Sequence, residues 1–138
     1  MAIKVEVQHR NNMAFEAHVN NHKLVMDADS TVGGNDEGPR PKPLLLASLG
    51  GCTGMDVVSI LKKMRIEPEY FNMVIEADQT EEHPKVYSRI HITYEFRGNN
   101  LDPEKLQKAV ELSQERYCGV SAMLKKATDL SFEIRILD

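Results

Sequence analysis

One stretch of sequence decides the fold: residues 44–64 read LLLASLGGCTGMDVVSILKKM. Pro43, immediately before it, suits the first turn of an α-helix, where a missing N–H has no intrahelical partner to lose. Apolar side chains occupy nearly every face of the predicted helix until Lys62, Lys63 and Arg65, whose charges favour a helix C-terminus. A helix that is apolar all round is buried all round. One sheet of a chain this size covers one side of such a helix, so the sequence predicts that a second subunit covers the other.

Two glycines interrupt this helix directly before a cysteine. Gly50 and Gly51 together cost about 2 kcal/mol relative to alanines in a helix interior. A glycine at such a position allows another element to approach the helix backbone closely. The sequence therefore predicts a close approach by a neighbouring element beside Cys52.

Alternation of apolar and polar residues predicts strands on both sides of the helix. Two further helices are expected near the C-terminus, one beginning after an N-cap at Asp102 and ending near Tyr117, the other beginning at Cys118. The predicted strands cover residues 3–8, 13–19, 23–26, 71–77, 86–96 and 130–137, with a tight turn at 20–22. This order of elements predicts a single α+β domain over residues 1–138.

Composition and charge exclude several classes of protein. The 138 residues are 41% apolar and 28% charged, and 17 basic against 21 acidic residues give a net charge of −4 without a basic stripe. The longest run without a charge, residues 43–55, is too short to span a bilayer. The first residues alternate in polarity and lack the apolar core of a signal peptide. We therefore predict a cytoplasmic protein that binds neither nucleic acid nor membrane.

No pattern in the sequence predicts a metal or cofactor site. His18 and His22 have the spacing of helical zinc ligands, but they flank a turn and no Cys-x-x-Cys motif accompanies them. The loop at residues 29–40 contains glycines and acids without the ligand spacing of an EF-hand. The chain also contains no P-loop and no dinucleotide-binding glycine motif. We therefore expect chemistry that needs no cofactor.

The two cysteines are the candidates for that chemistry. In a reducing compartment a structural disulfide is uncommon, so Cys52 and Cys118 are either buried packing residues or redox-active thiols. Cys118 lies near a predicted helix start, where the helix dipole is expected to lower a thiol pKa. Cys52 lies in mid-helix one turn before Asp56, so a reactive Cys52 requires a cation from elsewhere in the chain.

The residues around both cysteines resemble a known family. The stretch PRPKPLLLASLGGCT at 39–53, with YCGVS at 117–121, resembles the osmotically inducible and organic hydroperoxide resistance proteins, the OsmC/Ohr family, and most of all its OsmC-like branch. The resemblance covers essentially the whole chain. It implies antiparallel sheets wrapped around a long buried central helix, in an intertwined homodimer with two active sites at the subunit interface. It also implies reduction of organic hydroperoxides by a thiol, without metal or cofactor.

The resemblance also implies roles for individual residues. Cys52 would be the peroxidatic thiol, Cys118 the resolving thiol, and Arg10 the cation that holds Cys52 as a thiolate, with an external dithiol as reductant. The hydroperoxide-resistance branch pairs this arginine with a glutamate, and at that position this chain has Lys42. We therefore expect a thiol peroxidase that is slow. The alternative is a non-catalytic dimer that binds a small apolar molecule in an interfacial pocket or senses oxidation.

Overall fold

The computed structural model describes residues 1–138, which form two compact units, residues 1–47 and residues 48–138. Each unit contains one three-stranded sheet, and the chain has three α-helices in all. The predicted α+β class is therefore confirmed. The single domain and the homodimer stay predictions.

The sheet of the first unit is an antiparallel meander. Its strands are β1 (Glu6–His9), β2 (Phe15–Val19) and β3 (His22–Met26), so the first strand begins three residues later than predicted. Asn20 and Asn21 form the predicted tight turn between β2 and β3, both with left-handed backbone angles (φ 49° and 64°). Asparagine tolerates these angles better than most residues, so the turn fixes the register of the hairpin.

The loop that follows closes around a buried carboxylate. Asp27 is buried, and its side-chain oxygens accept backbone N–H groups from Ala28, Asn35 and Glu37 at 2.7–3.2 Å. Between these positions lies a short 3₁₀ helix at Ser30–Val32. This loop is therefore ordered, because three of its backbone N–H groups share the Asp27 carboxylate as their acceptor and others bond to main-chain carbonyls of the loop.

The predicted long helix is α1, Pro43–Lys63. Its side chains at Leu49, Val57 and Leu61 are buried. Met55, by contrast, is 76% exposed and Val58 47% exposed. The single chain therefore covers one face of the helix and leaves an apolar face open, as predicted, and burial of that open face by a second subunit stays a prediction.

The sequence predicts no membrane span in α1, because the uncharged run within this helix is too short. The 21 residues of α1 are nevertheless long and apolar enough to cross a membrane by length and composition alone. The core helix of a soluble protein meets the same criterion. Two polar side chains in the middle of α1, Thr53 and Asp56, form hydrogen bonds to other residues of the second unit. Such pairing is typical of a helix that packs in a protein core.

Two glycines of α1, Gly50 and Gly54, face strand β4, Tyr70–Gln79. A Cβ atom at Gly50 would lie 2.8 Å from Ile75 Cδ1, and one at Gly54 would lie 2.7 Å from Met73 Cε. The predicted close approach beside Cys52 is thus confirmed at Gly50, with Gly54 one turn later as its companion. At Gly51 such a Cβ would have no neighbour within 4 Å apart from the adjoining turns of the helix itself.

The sheet of the second unit contains one parallel pair. Strand β4 pairs antiparallel with β5 (Tyr87–Arg97), and β5 pairs parallel with β6 (Asp129–Ile136). The expectation of purely antiparallel sheets is therefore wrong for β6. The reason is the connection: α2 (Pro103–Leu112) and α3 (Gly119–Ala127) carry the chain back before β6 begins, as a parallel pair requires. Asp102 caps α2 as predicted, accepting the Glu104 N–H at 3.0 Å.

Strand β5 supplies the core face of this unit. Ile90, Ile92, Tyr94 and Phe96 are fully buried, as their alternation predicted. The His91 side chain, on the other face, is 25% exposed. Its Nδ1 lies 2.7 Å from Ser131 Oγ on β6, because the parallel pairing places the two residues side by side.

Candidate active site

The two cysteines come together within the second unit. Cys52 lies in α1 and is half-buried, whereas Cys118 is 3% exposed at the N-cap of α3, and both are free thiols. The Cys52 side chain lies close enough to Cys118 to raise the pKa of its thiol. Residues 66 positions apart in sequence, the difference between 118 and 52, therefore form one thiol pair.

The environment of Cys118 favours the protonated, neutral thiol. Burial raises the pKa of the Cys118 thiol, and the neighbouring Cys52 raises it further. The Ser121 N–H, 3.3 Å from the sulfur, and the Ser121 hydroxyl act in the opposite direction. The sequence-based expectation of a lowered pKa at this helix start is therefore wrong, because desolvation of the charged form outweighs the donors of the first turn.

A π turn holds Cys118 in place. Helix α2 continues into residues Ser113–Tyr117 with π-helical hydrogen bonding, and the Cys118 N–H donates to the Ser113 carbonyl at 2.8 Å. Cys118 itself is extended (φ −77°, ψ 104°) and starts α3. Turns of this kind are rare and often occur at functional sites.

A buried cluster of three hydroxyl groups links this turn to α1. Thr53 Oγ1 lies 2.6 Å from the Tyr94 hydroxyl and 2.7 Å from Ser113 Oγ. The three residues, which we name the hydroxyl cluster, are fully buried. Ser113 Oγ also lies 2.9 Å from Asp56 Oδ2, and Gln114 Nε2 lies 2.8 Å from the Tyr94 hydroxyl.

The direction of the hydrogen bonds in the cluster follows from its two ends. The Ser113 hydroxyl donates its one proton to Asp56 Oδ2, so it accepts from Thr53. Thr53 then accepts from Tyr94, which accepts from the Gln114 amide. Burial raises the pKa of Tyr94, so the phenol keeps the proton that this chain requires. Such an aligned chain strengthens each of its bonds.

Arg10 directly follows β1 in the first unit. Its Nε lies 4.0 Å from Glu16 Oε2, and the same carboxylate lies 2.9 Å from His18 Nε2 and 3.9 Å from Lys23 Nζ. Glu16 on β2 thus places a carboxylate beside Arg10. In the hydroperoxide-resistance branch a glutamate pairs with this arginine, and this chain has Lys42 at the position of that glutamate. The contact of Arg10 with Cys52 stays a prediction.

Sequence reasoning missed the hydroxyl cluster and Glu16. One signal was available for the cluster: Tyr94 shares the inward register of β5 with two isoleucines, and a buried tyrosine hydroxyl needs a partner. Thr53 and Asp56 were also polar positions in an otherwise apolar stretch of α1. Nothing in the sequence indicated that Ser113 and Gln114 would meet them. No group of three or more histidine, cysteine or carboxylate side chains is arranged to hold a metal ion.

The comparisons with known proteins agree with this geometry. Residues 33–133, which include both cysteines, match the model of the family described as OsmC-like protein. The chain belongs to the OsmC-like protein family. Protein YhfA of Escherichia coli strain K12 is 32% identical over 116 residues, 84% of either chain.

Solved structures share the fold over the full length. A hypothetical protein from Aquifex aeolicus VF5 is 33% identical, with a TM-score of 0.84 over 100% of this chain and 99% of that one. The organic hydroperoxide resistance protein OhrB of Bacillus subtilis is 18% identical, with a TM-score of 0.68 over 98% of either chain. At that identity the likeness to OhrB shows the fold alone.

The environment of Cys118 gives the first testable prediction. In a Cys52→Ser background, which leaves Cys118 as the only thiol, Ser121→Ala should raise the pKa of Cys118, because it removes a hydroxyl that favours the thiolate. Ultraviolet absorbance of the thiolate against pH measures this. Ser121→Thr, which keeps the hydroxyl, is the control. A Cys118 pKa that Ser121→Ala leaves unchanged would contradict the assignment.

Proposed function

We propose that the protein is a thiol-dependent peroxidase that reduces organic hydroperoxides through Cys52 and Cys118. The observation that carries the proposal is the pairing of a half-buried thiol on α1 with a buried thiol at the start of α3. Peroxidases with two cysteines need this arrangement, since one sulfur must reach the substrate and the other must reach the oxidised product of the first. Membership of the OsmC-like family supports the same reaction class.

The surroundings of the two thiols divide their roles. Cys52 is accessible to a substrate, whereas Cys118 is almost completely shielded. The raised pKa of Cys118 leaves it as a neutral thiol near neutral pH, and the neutral thiol is a poor nucleophile. Cys52 is therefore the peroxidatic residue and Cys118 the resolving residue.

The proposed reaction balances without a cofactor. The Cys52 thiolate attacks the distal peroxide oxygen, the O–O bond breaks, and the alkoxide leaves as an alcohol after it takes a proton. Cys52 has then lost two electrons and is a sulfenic acid. The Cys118 sulfur attacks it, an S–S bond forms, the S–O bond breaks, and water leaves with the proton of Cys118. An external dithiol returns two electrons by thiol–disulfide exchange.

Arg10 supplies the cation that Cys52 needs. A positive charge within ~4–6 Å of a thiolate stabilises the charged form. The charged residue of α1 nearest to Cys52 in the sequence is the acidic Asp56, so the cation has to come from another element. The Glu16 carboxylate, 4.0 Å from Arg10 Nε, in part replaces the family glutamate. An exposed pair of this kind is weak, which is consistent with a slow enzyme.

The active protein is a homodimer. The open face of α1, with Met55, Val58 and Gly51, continues onto Phe71 and Met73 in one shallow apolar depression of about 540 Å³. Apolar patches of this sort on a soluble protein mark an interaction site. A second copy of the chain covers it.

A second candidate function rests on a separate cavity. In the first unit, an apolar cavity of about 510 Å³ is lined by Val7, Met13, Phe15 and Met26 among other residues. This is a suitable volume for a small apolar ligand. A protein that only bound such a ligand would have unreactive cysteines, so both thiols would resist alkylation until the protein is denatured. A peroxidase should lose its Cys52 thiol to iodoacetamide in the native state.

The division of roles is tested by single substitutions. Cys52→Ser should abolish consumption of cumene hydroperoxide, because it removes the attacking sulfur. Cys118→Ser should still consume one equivalent, measured by stopped flow, and then stop, because its sulfenic acid has no resolving partner. Loss of this first turnover in both variants would contradict the proposed roles.

The role of Arg10 is tested against pH. Arg10→Ala should slow the oxidation of Cys52 and move the rate profile to higher pH, because the thiolate loses its cation. Lys42→Glu should accelerate oxidation by ~10-fold, equivalent to about 1.4 kcal/mol of better positioning. Glu16→Gln, which removes the present carboxylate, should slow it. If Arg10→Ala changes neither rate nor profile, Arg10 is only a surface residue.

The dimer is tested by mass in solution. Light scattering at micromolar concentration should give about twice the chain mass of 15.6 kDa. Met55→Asp should shift the protein to monomer, because it places a charge on the face that the second copy covers. The matched control is Met123→Asp, at a methionine 66% exposed on α3. A monomeric wild-type protein would contradict the proposal.

A further inference from the structure

We propose that Thr53 and Ser113 are positioning residues that set the separation of Cys52 and Cys118 for disulfide formation. The inference rests on the proposed function in one respect, namely that the two cysteines form a disulfide. It assigns a role to residues that do not touch the peroxide.

Several hydrogen bonds connect the two cysteine-bearing segments, and the one that starts nearest to Cys52 in the sequence runs through Thr53. Thr53 follows Cys52 directly in α1, and its Oγ1 lies 2.7 Å from Ser113 Oγ. The carbonyl of the same Ser113 accepts the Cys118 N–H at 2.8 Å. The path from one cysteine to the other thus consists of a peptide bond, a side-chain hydrogen bond and a backbone hydrogen bond, all in the interior of the second unit.

The π turn makes Cys118 depend on Ser113. In an ordinary α-helix the N–H of residue 118 would bond to the carbonyl of residue 114, but here it bonds to that of Ser113, five residues back. A π turn is less stable than the α-helix it interrupts, so it persists where side chains hold it. Ser113 is held by Thr53 and by Asp56, and Gln114 by Tyr94.

The connection between Thr53 and Ser113 is strong because both residues are buried and because Ser113 also donates to the carboxylate of Asp56. Thr53 and Ser113 are completely buried, so water cannot replace the bond between them. Removal of one hydroxyl leaves buried partners unsatisfied, which costs more than the bond itself contributes. Thr53→Val keeps the shape of the side chain and removes only the hydroxyl, so the turn loses one of its two anchors to α1, and the bond to Asp56 remains while the core stays filled.

The consequence concerns the disulfide, not only the stability of the fold. Two thiols held close together have a high effective concentration toward each other, and this favours the disulfide over the dithiol. When the Thr53–Ser113 bond is lost, α1 and the π turn fluctuate relative to each other and the effective concentration falls. Attack on the peroxide by Cys52 does not require Cys118 and should be unaffected.

The experiment is thiol–disulfide exchange with glutathione, which does not depend on peroxidase activity. Cys52 attacks oxidised glutathione and releases one glutathione thiolate, and Cys118 then displaces the second, so two electrons pass from the protein to glutathione. The fraction of intramolecular disulfide at equilibrium, measured by mass spectrometry over a series of glutathione ratios, gives the effective concentration. Thr53→Val and Ser113→Ala should lower it by ~10-fold, or about 30 mV for this two-electron couple.

Two controls separate positioning from stability. Thr53→Ser keeps the hydroxyl and should retain the wild-type equilibrium. Val110→Ala removes a buried side chain of α2 outside the cluster, and it should destabilise the protein without changing the equilibrium. Ser113→Ala carries the test if Thr53→Val does not fold.

The outcomes distinguish this inference from the proposed function. If the wild-type protein forms the disulfide and both hydroxyl-deleting variants form it equally well, the positioning role is wrong and the peroxidase proposal stands. If the wild-type protein forms no intramolecular disulfide at any glutathione ratio, the resolving role of Cys118 is wrong, and the positioning role with it. A fall in both variants but not in Thr53→Ser or Val110→Ala supports the inference.

Discussion

The hydrogen bond between Thr53 Oγ1 and Ser113 Oγ is the constraint that, in our proposal, sets the spacing of the two cysteines. A helix and a π turn that are far apart in sequence each carry one cysteine, and this bond joins the two segments in the protein interior. The carboxylate of Asp56 and the amide of Gln114 fix its direction, since one only accepts and the other donates. The segments that carry the two thiols are therefore held together by buried hydrogen bonds among Thr53, Ser113 and their partners.

Much of the fold could be predicted because it follows from local rules. Proline and apolar residues mark α1, Asn20 and Asn21 mark the hairpin, and Asp102 marks the start of α2. The parallel pairing of β6 could not be read in this way, because it depends on where two helices return the chain. The open face of α1 likewise depends on how much of the helix a single chain can cover.

The site was predictable only in part. The family resemblance indicated both cysteines and Arg10, and the structure brings the cysteines together. The pKa of Cys118 was predicted in the wrong direction because burial is a tertiary property, and it outweighs the donors at the helix start. Ser113 and Glu16 were missed for a related reason, since each gains its role only from a partner on another element.

The central claim is that Cys52 and Cys118 act as one redox pair. Its most direct test is the intact mass of the wild-type protein after one equivalent of an organic hydroperoxide, before any reductant is added. The expected result is the loss of two hydrogens from the chain, with a cross-link between the peptides that contain the two cysteines. An unchanged mass, or the gain of one oxygen on Cys52 that persists without a cross-link, would contradict it.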